Sequence, residues 1–203
     1  MNADVSAPHV STVGAVPVLH LYPQSLISEL VFSTALTVPR SPLASIRPEE
    51  RPGVYILFAR AGAKSLVRYG TEICSAVFPI YAGSAQLLPA RLSRHRKTIA
   101  SASGLSVHDF FASVIYTDSL AAALAVEQTL IKEIRPPWNE RALSGFGSAP
   151  RGATRAAECV SGFDCLHRRS WAAVPSAKER ATARAALRLY LRSGYVRPLW
   201  QAL

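Results

Sequence analysis

Three short runs rich in β-branched and aromatic residues constrain the fold of this chain most strongly. They lie at residues 53–59 (GVYILFA), 77–83 (VFPIYAG) and 108–117 (HDFFASVIYT), and their composition is typical of β-strands. Stretches with helical periodicity follow the second and third runs, at residues 87–101 and 119–134. The order β-β-α-β-α therefore predicts an α/β sandwich around a small sheet.

The segment before these runs predicts an arm, a helix and a linker. Residues 1–20 lack convincing periodicity and predict a loose arm, whereas residues 23–36 predict a short helix. Prolines punctuate residues 38–53, which predict a linker into the first strand. We assign residues 1–50 to an amino-terminal unit, whose helix either contacts a second subunit or DNA or caps the core.

The segment after the second core helix predicts a loop and a basic helix. Residues 144–170 show little periodicity and predict a long loop. The last helix opens at SAKE, where Ser176 and Glu179 have capping-box spacing, and it ends near Gly194. These boundaries leave residues 51–143 as the core and residues 144–203 as a carboxyl-terminal unit.

The charge balance favours a polyanionic partner. The 203 residues include 23 Lys and Arg against 13 Asp and Glu, which gives a formal net charge of +10. Basic side chains that neutralise phosphates release counterions and gain affinity, so a nucleic acid fits this surplus. A basic surface that is merely solvated is the alternative.

Cysteine usage and hydropathy exclude several classes of protein. Cys74, Cys159 and Cys165 are odd in number and lack paired zinc spacing, so neither disulfides nor a zinc knuckle is predicted. No apolar run approaches the roughly 20 residues that cross a bilayer, and the amino terminus lacks the basic region of a secretory signal. These features predict a cytoplasmic protein with no membrane partner.

A glutamate interrupts the apolar face of the second core helix. Leu120, Leu124, Ile131 and Ile134 are spaced to share one face, and Glu127 falls in the middle of it. An ionised carboxylate on an apolar face is costly unless a positive group meets it. Unless the helix is misread, the pattern predicts a cation beside this carboxylate.

Five further polar residues fall on or beside the same core elements. Arg91 and His95 are four residues apart and share a helical face, and Tyr55 and Tyr81 lie in otherwise apolar strands. Asn139 follows the two prolines that end the second helix. Taken singly, a tyrosine here is more often a core aromatic, and the arginine with the histidine is more often a solvated helix face.

Together these residues resemble the GIY-YIG nuclease superfamily. The resemblance rests on GVY, on YAG after it, on the spacing of Arg91 and His95, and on Glu127 and Asn139. The segments PIYAGSA, RPPWN, SGFGS and LHRRSWA are similar to small homodimeric type II restriction endonucleases of this superfamily that cut CCGCGG. The likeness runs from about residue 52 to 172 and implies a three-stranded, mainly antiparallel sheet flanked by helices.

The resemblance implies a phosphodiester hydrolase with one divalent metal ion, Mg²⁺ or Mn²⁺. Glu127 would coordinate the metal, since a hard cation favours carboxylate oxygen. Arg91 would hold the phosphate and offset the charge that grows in the transition state. Asn139 would brace the site, although a purely structural role in the PPWN turn is the alternative.

The resemblance also implies how a water molecule is activated. Tyr55 would orient the water and take its proton, and His95 would accept or share that proton, because a phenol is a weak base at neutral pH. Tyr81 would shape the pocket near the nucleophile. Ser84 departs from the family, since many relatives carry lysine directly after the glycine of YIG.

Basic residues near these positions are candidates for DNA contact. Arg94, Arg96 and Lys97 lie beside the proposed site and are expected to seat phosphates. Arg151 and Arg155 follow GFG and are expected to read guanine bases, because arginine pairs with guanine O6 and N7. The arginine row at residues 180–192 either follows the DNA backbone or is a solvated helix face.

The resulting hypothesis is a bacterial type II restriction endonuclease that acts on double-stranded DNA. A palindromic target predicts a two-fold homodimer, and the family implies a cognate DNA methyltransferase in the same system. A structure-directed repair nuclease and a catalytically decayed DNA-binding module are the alternatives. An RNA-binding protein has little support, because no array of exposed aromatics is evident.

Overall fold

A computed structural model describes residues 11–13, 16–19, 31, 33–35, 37–60, 77–147 and 160–192. No helix within these ranges combines the length and the hydropathy that crossing a bilayer requires.

The described strands form one mixed sheet whose central part is antiparallel. The strands are β1 (Ser11–Val13), β2 (Val16–Leu19), β3 (Ser41–Pro42), β4 (Gly53–Arg60), β5 (Val77–Ala85) and β6 (Phe110–Thr117). Their order is β1-β2-β6-β4-β5, and β3 pairs with β6. β4 lies in the middle and pairs antiparallel with β5 and β6, whereas β2 joins β6 in parallel. β5 is therefore an edge of the described sheet.

Two helices cover the two faces of this sheet. α1 (Leu88–Ser101) follows β5, and α2 (Leu120–Ile134) follows β6. Because side chains alternate along a strand, Tyr55 of β4 packs in the same core as α1, whereas Val54 packs in the core that contains α2. The predicted α/β sandwich, with its three central strands flanked by helices, is confirmed.

The prediction of a loose arm at residues 1–20 is wrong for the part that the structure describes. β1 and β2 form a hairpin there, and Val18 of β2 pairs with Tyr116 of β6. Sheet pairing of this kind depends on a partner about 100 residues away, so periodicity within the segment could not reveal it. Of the helix predicted at 23–36, only residues 31 and 33–35 are described, and they are helical.

The prediction of a continuous loop at residues 144–170 is also wrong in part. α3 (Gly162–Leu166) lies within it, with Ser161 as the N-cap. Short 3₁₀ turns occupy Pro137–Asn139 and Arg141–Leu143 ahead of it. α4 (Ala177–Arg192) follows, and the Ser176 hydroxyl accepts from the Glu179 amide in the predicted capping box. The end expected near Gly194 lies outside the described residues.

The predicted apolar face of α2 is wrong in part. Ile134 is buried as predicted and Ile131 packs partly buried against the core, but Leu120 and Leu124 are 37% and 45% exposed. The rest of the buried face consists of Ala122, Ala123, Val126 and Leu130. The two alanines let the helix approach the sheet closely, so the small residues are buried and the leucines lie at the margin. Glu127 is half-buried at the edge of this face rather than in its middle.

Candidate active site

A chain of three polar side chains, two buried and one half-buried, lies between β4 and α1. The Tyr55 hydroxyl lies 2.5 Å from His95 Nε2 and accepts a hydrogen bond from Arg91 Nε at 3.1 Å. Arg91 and His95 reach the same oxygen because they stand one helical turn apart on α1. The structure thus brings together three of the residues that the sequence predicted for the site.

Burial holds both partners of the short contact in their neutral forms. His95 is only 1% exposed, and burial, together with the charges of Arg91 and Arg94, lowers its pKa from 6.5 to about 3. Burial raises the pKa of the Tyr55 hydroxyl well above its usual value. Tyr81 adds to this rise, whereas Arg91 opposes it. At neutral pH the free protein therefore carries a phenol beside a neutral imidazole.

Tyr81 closes one side of this group. Its ring centroid lies 6.2 Å from that of Tyr55 and 5.3 Å from that of His95, and burial raises the pKa of its hydroxyl. Gly83, the glycine of YAG, pairs across the strands with Tyr55. A Cβ atom on Gly83 would collide with the Tyr55 hydroxyl. The glycine is required because the tyrosine hydroxyl crosses directly over its backbone.

Glu127 approaches the same strand edge from the opposite face. Its Oε2 accepts a short hydrogen bond from the Ser84 hydroxyl, next to Gly83 on β5. The carboxylate is close enough to contribute to the raised pKa of Tyr55 and of Tyr81. Ser84, which stands where many relatives carry lysine, thus orients Glu127 by hydrogen bonding.

The donor set around Glu127 suits a hard divalent cation. Among the described residues no group of three or more His, Cys, Asp and Glu side chains could enclose a metal ion. A single half-buried carboxylate with a neighbouring hydroxyl matches Mg²⁺, which keeps several waters and binds through one or two carboxylates plus substrate phosphates. The residues present therefore fit the metal that the sequence implied.

Asn139 braces the strand that carries these groups. Its Oδ1 accepts from the Ala82 amide at 2.8 Å, and its Nδ2 donates to the Ala82 carbonyl at 2.9 Å. The side chain thereby completes the hydrogen bonding of the edge strand β5 beside Tyr81 and Gly83. Both polar atoms of the amide therefore bond to the backbone of β5.

The residues predicted to contact DNA differ in their exposure to solvent. Arg94 and Lys97 are exposed on α1. Arg96 is half-buried, and its Nη1 donates to the carbonyls of Leu43 and Ile46 at 3.0 and 3.3 Å. These bonds attach the linker to α1. Arg151 and Arg155 lie outside the described residues.

The four arginines of the row on α4 differ in exposure. Arg184, Arg188 and Arg192 are exposed, and none of them forms an ion pair with a described carboxylate. Arg180 is half-buried and donates to the Pro175 carbonyl.

Two residues of the site were not predicted from the sequence. Phe146 stacks on the His95 ring at 4.7 Å with an angle of 10° between the planes. The Gly147 carbonyl accepts from Arg91 Nη2 at 3.2 Å, and a Cβ atom on Gly147 would collide with the Tyr81 hydroxyl. The segment SGFGS contains both residues, and its paired glycines were the available signal.

Three features together define a GIY-YIG nuclease. They are an antiparallel core with helices on both faces, paired tyrosines on two neighbouring strands, and an arginine and a histidine on the first helix. The family model described as the Eco29kI GIY-YIG domain matches residues 47–189. The chain belongs to this family, which is one of restriction endonucleases. No curated protein matches the chain.

Proposed function

We propose that the protein is a type II restriction endonuclease that cuts both strands of DNA at the palindrome CCGCGG. It would act as a homodimer with one Mg²⁺ or Mn²⁺ per subunit, beside a cognate methyltransferase that protects the host sequence. Membership of the Eco29kI family supports nuclease activity, and the PIYAGSA, RPPWN and SGFGS segments support the choice of target. The observation that carries the proposal is the hydrogen-bonded chain of Arg91, Tyr55 and His95 beside Glu127.

Tyr55 and His95 would act together as the base. With Arg91 donating to the Tyr55 oxygen, the hydroxyl proton would point at His95 Nε2 in the tautomer that carries its proton on Nδ1. A water molecule that attacks the phosphorus would pass a proton to the Tyr55 oxygen while Tyr55 passes its own proton to His95. Bound phosphate adds negative charge next to Arg91 and Arg94, which would raise the pKa of His95 towards the working range.

Arg91 would bind a phosphate oxygen and Glu127 would hold the metal. The arginine side chain is half-buried, so its charge is less screened than on the surface and can offset charge that develops in the transition state. When bound, Mg²⁺ or Mn²⁺ supplies a Lewis acid that polarises the phosphate and stabilises the leaving oxygen. An intact hydrogen-bonded site disfavours the alternative of a catalytically decayed binding module.

The test of the proposed function is digestion of a plasmid with a single CCGCGG site. We expect one linear product in the presence of Mg²⁺, no product with EDTA, and no product when one base pair of the site is changed. Discrete cutting elsewhere would replace the target but keep the enzyme. Preferential cutting of flaps or forks over plain duplex would favour a repair nuclease instead.

The exposed basic residues of α1 are expected to bind DNA through phosphates alone. Replacing Arg94 and Lys97 together by alanine should weaken binding to all duplexes similarly and lower the slope of log affinity against log salt by about two. Titration of a fluorescent duplex in Ca²⁺ at several salt concentrations measures this slope. Replacing Lys132 of α2 by alanine is the charge control, and a fall of about one in its slope, the same change per charge removed, would contradict the assignment.

A further inference from the structure

An aromatic ring from a distant loop fixes the orientation of His95. Phe146 is 1% exposed and lies flat against the imidazole. It also packs on Trp138 at 4.5 Å, Tyr81 at 5.0 Å and Phe163 at 5.3 Å between ring centroids. No described polar atom hydrogen-bonds to His95 Nδ1. Apart from the bond to Tyr55, the ring plane of His95 is therefore set by packing, with Phe146 stacked flat on it and the Tyr81 ring 5.3 Å away.

The same loop sets the position of Arg91. The backbone carbonyl of Gly147, the residue after Phe146, accepts a hydrogen bond from Arg91 Nη2. The other end of the guanidinium, Nε, donates to Tyr55. Residues 144–147 thus touch both α1 side chains that converge on the Tyr55 hydroxyl.

A buried ion pair holds this loop in place. Arg169 Nε and Nη2 bind Asp164 Oδ1 and Oδ2 at 2.7 and 2.5 Å, and Arg169 Nη1 donates to the Gly145 carbonyl at 3.1 Å. Gly145 has a φ of +121°, and a Cβ atom there would collide with Ser161. The loop can therefore adopt this path only with glycine at that position, and Arg169 holds the loop by binding its carbonyl there.

The segment around Arg169 is also attached to the end of α1. The backbone of Arg169 forms an isolated antiparallel β-bridge with Ala102. On either side of it, the Ser103 amide donates to the Arg168 carbonyl at 2.8 Å, and the Ser170 amide donates to the Ser101 carbonyl at 2.9 Å. Arg169 consequently connects the helix that carries Arg91 and His95 to the loop that packs on both.

A purely stabilising role is a poor explanation for this arrangement. Both side chains of the Arg169–Asp164 pair are only 4% exposed, and burying two charges costs about as much as their attraction returns. Such pairs are of most use where they fix one geometry among several. The geometry fixed here is that of the loop against His95 and Arg91.

We propose that Phe146 and the Arg169–Asp164 pair are positioning residues, which hold His95 and Arg91 in line with the Tyr55 hydroxyl for catalysis. This inference rests on the proposed function of Tyr55 and His95. It assigns a catalytic purpose to the SGFGS and LHRRSWA segments, which otherwise contribute no reacting group.

The test compares two buried phenylalanines of one core. Phe146→Leu removes the flat contact with His95, whereas Phe110→Leu removes a ring of equal size that packs on Trp138. In single-turnover cleavage we expect Phe146→Leu to lower the rate about tenfold to a hundredfold with unchanged DNA affinity in Ca²⁺. Phe110→Leu should change the rate less than about threefold at a temperature where both variants are folded.

A double-mutant cycle identifies the residue through which Phe146 acts. If Phe146 works by orienting His95, Phe146→Leu should cost nothing further in a His95→Ala background. Arg169→Lys keeps the charge but loses the planar guanidinium that binds Asp164 and the Gly145 carbonyl together. It should therefore also lower the rate and be non-additive with Phe146→Leu.

Two results would overturn the inference, and they are distinguishable. If His95→Ala cuts much more slowly than the wild type but Phe146→Leu cuts as fast as Phe110→Leu, the positioning role is wrong and the proposed function stands. If His95→Ala cuts at the wild-type rate, the proposed proton path is wrong and the positioning role falls with it.

Discussion

Replacing Glu127 by glutamine should abolish DNA cleavage while leaving DNA binding intact. The amide keeps the shape of the side chain and can still accept from Ser84, but it removes the charge that would hold the metal. Loss of metal assistance is worth several kcal/mol of transition-state stabilisation, so the cleavage rate should fall by about a thousandfold or more. Single-turnover cleavage in Mg²⁺ and in Mn²⁺ measures the loss.

The matched control for this prediction lies on the same helix. Glu133 lies six residues after Glu127 and is also half-buried. It forms no ion pair with a described residue. Glu133→Gln removes the same charge from α2 and should cut at close to the wild-type rate. Equal rates for the two variants would refute the assignment of Glu127 as the metal ligand.

Replacing Tyr55 by phenylalanine should lower the cleavage rate by about a hundredfold to ten-thousandfold, the usual contribution of a general base. The change removes the oxygen that joins Arg91 to His95. The aromatic ring and its packing remain, so the fold should persist. DNA affinity in Ca²⁺ should change little, because the hydroxyl acts on the water rather than on the duplex.

A second buried tyrosine provides the control. Tyr116 of β6 is 5% exposed, and its hydroxyl accepts from the Glu49 amide at 2.8 Å in the linker. Tyr116→Phe removes a hydrogen-bonded hydroxyl from another buried tyrosine and should reduce the thermal stability with little effect on the cleavage rate. If both tyrosine variants lose activity in proportion to their loss of stability, Tyr55 has no role in the chemistry.

Local patterns in the sequence were sufficient for the main elements of the core. Runs of β-branched and aromatic residues placed most of β4 and β5 and all of β6. The arginine and histidine one turn apart on α1 followed from helical spacing alone. Such features depend on neighbouring residues, so no knowledge of distant partners was required. The amino-terminal strands did not meet this condition, since β2 joins the core sheet through its pairing with β6, a strand far along the chain.

The face of α2 shows where sequence periodicity was insufficient. Two stripes of this helix are apolar, one with Leu120 and Leu124 and another with Ala123 and Val126. Helical spacing cannot choose between them, because the choice depends on how closely the helix approaches the sheet. The structure buries the smaller residues against β4 and β5, which places Glu127 at the margin beside Ser84.

The amino-acid sequence by itself determined which reactive groups are present, on which elements they stand and to which nuclease family they belong. Only the tertiary structure decided what surrounds them: the stacking of Phe146 on His95, the tie from Arg169 to the Gly145 carbonyl, and the bond from Ser84 to Glu127. These contacts join residues that are 24 to 51 positions apart in the chain. Their geometry follows from the packing of the two helical layers on one sheet, which no local pattern encodes.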